Sequence, residues 1–245
     1  LYQAFQLMSD NLKDSMEQLT QAKEQELRAR SMALQSQINP HFYYNTLSSI
    51  MVLAENGDSQ TVVKMCRNLS QIMRYITSTA ETTVTLKDEL DYVQKYLYCM
   101  KVRYQSSLNY SIDVDERLLS QPVPKLIIQP IVENAIRYGS DCAPPWNISV
   151  TSVVTHGSWQ IEVSDTGPGF TEEAKERITA NIMKAIQNPG LPELKINGLG
   201  TVNVYLRWKI FCKGDIIFRY GNNADGHGVV SIGRYFQNKE DAETV

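Results

Sequence analysis

Cysteine is scarce and scattered in these 245 residues. Cys66, Cys99, Cys142 and Cys212 form no CxxC pair and have no histidine beside them, which excludes a disulfide framework and a zinc site of the usual spacing and suits a reducing compartment. Long apolar runs are missing too: nothing approaches the ~20 residues a membrane span needs, and no signal peptide is expected ahead of the first helical stretch. Neither sign of charge dominates. A formal net charge of −3 gives no electrostatic reason to expect nucleic acid or an anionic membrane surface as the main partner. What remains is ordinary globular material, 42% hydrophobic and 21% charged, enough for two modest cores, one of them largely helical.

Glycine and proline are absent from residues 1–33, and a helical pattern fills the space. Leu1, Phe5, Met8, Leu12, Leu19, Ala22, Ala29 and Ala33 recur at alternating spacings of three and four, with Ser15 and Glu26 as weak members of the seam. Such a seam pairs with a copy of itself, so a coiled coil is expected; a single amphipathic helix on its own domain is the plainer reading. Because the chain opens on Leu1 rather than Met, already in helical register, the cytoplasmic end of a longer protein is expected.

The stretch Leu34 to Ile50, LQSQINPHFYYNTLSSI, changes the pattern. Pro40 removes a backbone donor and is expected to bend the helix where His41 is displayed, with Asn45 one turn further on. Extending the register puts Pro40, Tyr43, Leu47 and Ile50 at the seam and leaves His41 and Asn45 facing solvent. A satisfied core histidine at a kink is the alternative. After Asn56, Gly57 and Asp58, a second helix capped by Asp58 or Ser59 carries Val62, Met65, Cys66, Leu69, Ile72, Met73 and Ile76 on one broad face. Residues 34–84 are thus expected to form a helical hairpin that dimerises into a four-helix bundle, because that apolar surface needs a partner.

Residues 85–237 read as α+β. Thr85 and Asp88 form a capping box at the head of a helix with Leu90, Val93, Leu97 and Met100 on one face. Leu108, Tyr110, Ile112 and Val114 alternate as in a half-buried strand. A helix is expected from about Lys125 to Tyr138, then strands around Ile148 to Val150 and Trp159 to Val163, a polar helix from Glu172 to Gln187, and a helix from Gly198 to about Phe211. Strands at Ile216 to Tyr220 and Val229 to Phe236 follow, and residues 238–245 form a charged tail.

Three places in this half carry chemistry. Asn134, Arg137 and Tyr138 share one helix face, presenting a hard amide oxygen suited to Mg²⁺ and a guanidinium that can meet phosphate. A surface pair between Glu133 and Arg137 is the plainer reading. Asp165 ends a strand before Gly167 and Gly169, where a carboxylate can accept from an exocyclic amine and unencumbered backbone can approach a flat ring; a ligand-free turn is equally consistent with that triplet alone. Gly198 and Gly200 open a helix whose free N–H groups can face a phosphate.

Order and spacing join these places. QPIVENAIRYG looks like the N box, DTGPGF the G1 box and GLGTVNV the G2 box of the Bergerat ATP-binding fold, the GHKL ATPases. With QINPHFYYNTL and TLKDELDYVQKYLYCMKVRY, the chain after Ala33 resembles the LytS/YesM type of sensor histidine kinase. The resemblance implies His41 as phosphoacceptor, Asn134 as Mg²⁺ ligand, Asp165 as reader of adenine, and Gly167, Gly169, Gly198 and Gly200 as the backbone around ATP, with an ATP lid between Phe170 and Asn197. It also implies a homodimer, a response regulator receiver domain as partner, and an upstream membrane-embedded sensor region, this chain being the cytoplasmic portion. Asn45 would orient a water for the reverse, phosphatase direction. Three positions depart from the wider pattern. Pro130 stands where hydrolytic cousins keep a catalytic Glu, Phe42 where many histidine kinases have an acid after the histidine, and Thr201 where the G2 box usually has an apolar residue. A different class, a dimeric ATP-binding scaffold that signals by conformation, is discriminated by His41, for which a scaffold has no need.

Overall fold

The computed structural model describes residues 40–78, 82–187 and 200–236, all within one compact unit, Ile38–Val245. The heptad helix expected over residues 1–33, the backbone ahead of Pro40, Gly198 and the charged tail lie outside the described residues.

Helices α1 (Pro40–Glu55) and α2 (Ser59–Thr77) make the hairpin. Gly57 takes the turn at φ +79°, and Asp58, not Ser59, caps α2 by accepting from the Thr61 N–H at 3.1 Å. The broad apolar face expected on α2 divides. Met65, Leu69 and Ile72 are buried within the chain's own core, whereas Cys66 and Met73 are exposed. The cover is helix α3 (Leu86–Tyr104), so most of that face needs no second chain.

Both halves of the capping box at α3 are formed, Asp88 N–H to Thr85 Oγ1 at 3.2 Å and Thr85 N–H to Asp88 Oδ2 at 3.0 Å. Leu90, Val93, Leu97 and Met100 are buried as their spacing predicts, but so are Leu86, Glu89, Tyr92, Tyr96 and Cys99. Tyr92 stacks on Tyr75 of α2 and Tyr96 lies against Phe42 of α1, at 4.9 and 4.8 Å between ring centroids. Burial on two sides makes α3 a bridge, and the two cores expected from composition are one continuous core from Phe42 to Ile232, with a small satellite of Ile178, Ile182, Val202 and Leu206.

Beyond α3 the chain builds a five-stranded mixed sheet in the order β2-β4-β5-β7-β6, from β2 (Leu108–Asp113), β4 (Trp146–Val154), β5 (Ser158–Ser164), β6 (Ile216–Asn222) and β7 (Gly228–Tyr235). Only β2 and β4 run parallel. Alternation along β5 buries Trp159, Ile161 and Val163 under helices α4 (Gln129–Gly139) and α6 (Gly200–Cys212) and leaves Gln160 and Glu162 on the half-covered face. Helix α5 (Glu172–Gln187) packs on α6 through Ile178 and Ile182. The hairpin, bridging helix and sheet domain thus form the expected α+β order.

One boundary differs from the sequence reading. Helix α4 starts at Gln129, not Lys125. Residues Pro122–Pro124 form strand β3, paired with β1 (Thr83–Thr85), and Lys125 to Ile128 make a turn in which Leu126 has φ +58°. Leu126 in the left-handed region interrupts any helix through this run, and the Glu89 carboxylate accepts from the amides of residues 126–128.

Candidate active site

On α1, His41 is exposed, and the Asn45 amide nitrogen lies 2.9 Å from its Nδ1 and 3.1 Å from its Nε2. An amide N–H can pair only with the ring nitrogen that carries the lone pair, whereas the amide oxygen can accept only from the protonated one. Asn45 is thus within hydrogen-bond reach of both ring nitrogens, and which of them it pairs with depends on the tautomer and on the amide's orientation. Phe42, in the position where an acid was sought, is turned into the core. Among the described residues, Asn45 and not residue 42 is the polar group at the imidazole.

The second group of candidate residues gathers at one end of the sheet, where the central strand β5 stops. Asp165 is fixed through both its backbone and its side chain: its N–H donates to Gly228 O at 3.1 Å, and its Oδ1 accepts from the Gly167 N–H at 2.7 Å. Oδ2 has no donor among the described residues. Burial pushes the Asp165 carboxyl above the usual carboxylate range, opposed by the Gly167 N–H and the nearby His227. Gly167 passes close under the end of α4; a Cβ there would stand 2.9 Å from the Tyr138 carbonyl oxygen. Gly169 has φ +72°, and a Cβ on it would run into the Gly226 carbonyl.

Asn134 is half-buried, and its amide has no hydrogen-bond partner among the described residues. It faces the start of α6, where a Cβ on Gly200 would lie 3.1 Å from Asn134 Nδ2. Arg137 and Tyr138 are exposed beside it, the guanidinium 5.8 Å from the phenol ring centroid. The surface pair with Glu133 is not made. Glu133 is largely buried, which raises its pKa, and it accepts from Gln129 Nε2 at 2.7 Å.

Three further residues complete the pocket edge. His227 Nδ1 is 2.8 Å from Gly167 O, Gly228 carries the carbonyl that receives Asp165, and Asn222 clamps Phe170 from both sides, accepting from its N–H at 2.7 Å and donating to its carbonyl at 3.1 Å. In the sequence they read only as the turn between the last two strands.

Comparison with known proteins follows the same division. Residues 29–108 match the family model for "Histidine kinase", and residues 121–231 the model for "Histidine kinase-, DNA gyrase B-, and HSP90-like ATPase". The chain belongs to the histidine kinases, of the LytS/YesM type. It is 34% identical over 164 residues to the sensor histidine kinase YesM of Bacillus subtilis, covering 66% of this chain and 28% of that protein. A sensor-like histidine kinase of Staphylococcus epidermidis is 32% identical over 212 residues, 83% of this chain and 41% of that one. Sensor histidine kinase YpdA of Escherichia coli is 34% identical over 193 residues, 78% and 32%. The chain thus spans less than half the length of each of these relatives. Among solved structures, the catalytic domain of histidine kinase ThkA aligns with 65% of this chain and 97% of its own, at 19% identity and a TM-score of 0.45. Residues 121–231, which hold Asn134, Asp165 and Gly200, are an ATPase-type, ATP-binding domain.

Proposed function

We propose that this chain is the phosphoryl-transferring part of a two-component sensor kinase. ATP binds between α4 and the end of β5, its γ-phosphoryl group passes to His41, and the phosphohistidine then donates to an aspartate on a response regulator receiver domain. The observation that carries the reading is an exposed imidazole, with an amide at its ring nitrogens, in the same compact unit as an ATPase-type pocket.

In the first step the bond between the γ-phosphorus and the β,γ-bridging oxygen breaks as a nitrogen–phosphorus bond forms, and ADP leaves. A neutral imidazole is a nucleophile through its ring lone pair, so the protein contributes mainly positioning and charge neutralisation. Asp165 Oδ2 is open to the exocyclic amine of adenine, and Arg137 stands where phosphate charge is expected. A Mg²⁺ ion fits Asn134: an unpaired amide oxygen is a hard ligand for an ion that keeps waters and leans on phosphates. Among the described residues no group of three His, Cys, Asp or Glu side chains could hold a metal alone, so phosphate oxygens would supply the remaining protein-independent ligands. Pro130 puts no water-activating carboxylate one turn ahead of Asn134, which favours transfer to histidine over hydrolysis.

A homodimer belongs to the proposal. Tyr44, Leu47 and Met51 on α1 are 71%, 49% and 64% exposed and lie on one stripe, as do Val63, Cys66 and Met73 on α2. So does a membrane-embedded sensor upstream; no helix among the described residues is long and apolar enough to cross a membrane. The test is incubation with γ-labelled ATP. Acid-labile, base-stable label that disappears in His41→Gln, with ATP affinity unchanged, supports the reading. Label at the wild-type rate in that variant assigns the phosphate elsewhere.

A further inference from the structure

Glu89 is a fully buried carboxylate in a network that also buries Lys125 and Arg207, and Arg207 interacts with it electrostatically. Its Oε1 accepts from the Tyr75 hydroxyl and the Leu126 N–H, each at 2.5 Å, and its Oε2 from the Ile127 and Ile128 N–H groups at 2.8 and 3.2 Å. Taking a carboxylate out of water costs several kcal/mol, and an apolar residue of similar volume often serves stability as well or better. The group is therefore better explained by what it holds in place than by stability.

What it holds is one turn, gripped from two sides. Glu89 takes the amides of residues 126–128, while Arg207, itself buried on α6, donates from Nη1 to the Leu126 carbonyl at 2.9 Å and from Nη2 to the Lys125 carbonyl. The turn carries Leu126 in the left-handed region, a conformation that persists in a non-glycine residue only where the surroundings enforce it. It runs directly into α4, where Asn134 follows six residues after Ile128, and Arg207 lies two turns after Gly200 on α6. The same carboxylate thus fixes the segment that sets Asn134 against Gly200. On its other side is the hairpin: Tyr75 sits in the last turn of α2, its ring 4.7 Å from the Lys125 ammonium, and Lys125 Nζ donates to Ser78 O at 2.6 Å just beyond the helix end.

We propose that Glu89 is a positioning residue for the nucleotide site and that its hydrogen bond with Tyr75 makes the end of α2 part of that site's geometry. A displacement of α2 that draws Tyr75 away removes one of four donors from a buried carboxylate and loosens the turn in front of Asn134. ATP bound across Asn134 and Gly200 favours, in return, the arrangement with Tyr75 in place, as reciprocity of coupled equilibria requires. The proposal rests on the preceding assignment of Asn134 to the ATP site.

The test is ATP titration by calorimetry on the full chain, well below its melting temperature, for Tyr75→Phe, Glu89→Gln, the double variant and Asp165→Asn. Tyr75→Phe is expected to weaken ATP by about fivefold, less than the full effect of one hydrogen bond to a charged group because Tyr75, on the hairpin, acts only through the turn. Glu89→Gln, which turns an amide NH₂ toward backbone N–H groups, is expected to weaken it further, and the double variant should match Glu89→Gln alone, because Tyr75 acts only through that carboxylate. A merely structural role would lower the melting temperature of these variants and leave ATP affinity untouched. If Asp165→Asn loses ATP while Tyr75→Phe binds it as the wild type does, the positioning role is overturned and the site assignment stands. If neither variant changes affinity, both fall. Should Glu89→Gln fail to fold, Tyr75→Phe still decides, since it removes one oxygen and leaves the turn's amides paired.

Discussion

Asp165 carries its backbone and one oxygen in fixed hydrogen bonds and keeps Oδ2 for a ligand, so its ionisation should be visible in binding. Only the carboxylate accepts on both oxygens, and burial has raised its pKa; affinity for ATP is therefore expected to fall on acidification, beginning at a higher pH than for an ordinary aspartate. The sign is fixed by the form that binds: protonation as pH falls through the raised pKa removes the acceptor. Asp165→Asn is expected to weaken ATP by about tenfold to a hundredfold and to flatten that pH response, read by titration across the acidic range. Gly169→Ala would force an alanine into φ +72° and against Gly226, an expected loss of about 1–3 kcal/mol in urea denaturation. These residues were legible because D-x-G-x-G is a local signal. Asn222, His227 and Gly228 were not, since they reach the same pocket from a turn more than fifty residues later, and Asn and Gly in a turn carry no mark that says what they touch.

At the scale of elements, periodicity found nearly every helix and strand, and capping chemistry found two helix starts. Thr85→Ala breaks the box at α3 and is expected to lower stability by about 0.5–2 kcal/mol in chemical denaturation. Period alone could not say what covers an apolar face. Met65, Leu69 and Ile72 have the same spacing whether they meet a second chain or, as here, α3 of their own. Among the described residues, what is left for a partner is the narrower stripe through Leu47 and Met73, so Leu47→Glu combined with Met73→Glu is expected to raise the concentration at which light scattering shows a dimer while leaving the described core intact. The start of α4 differs for a related reason: Leu126, Ile127 and Ile128 look helical in sequence, but Leu126 is held in the left-handed region in a turn whose amides pair with a carboxylate thirty-seven residues earlier.

Across the whole molecule, the proposed donor and acceptor groups lie on different parts of one chain and can be separated by mutation. His41→Gln and Asn134→Asp should each be unable to label, the first for want of an acceptor and the second because a carboxylate replaces the amide at the metal. Mixed and allowed to exchange, they are expected to place any label on the Asn134→Asp chain alone, since it retains His41. Label there reports transfer across the dimer, and a dark mixture with exchange verified reports transfer within a chain. The neighbour of that histidine sets a further condition. Phe42, 6% exposed and seated on Tyr96, pins α1 to the bridging helix one residue past the imidazole. Any input that turns α1 about its axis must first unseat this ring, at about 1.5–3 kcal/mol, so in the resting protein the turned state is rarer by about ten- to a hundredfold. If the chain serves the proposed sensor kinase, Phe42 sets a threshold that a stimulus must exceed, and a smaller side chain at that position is expected to let the kinase respond with less provocation.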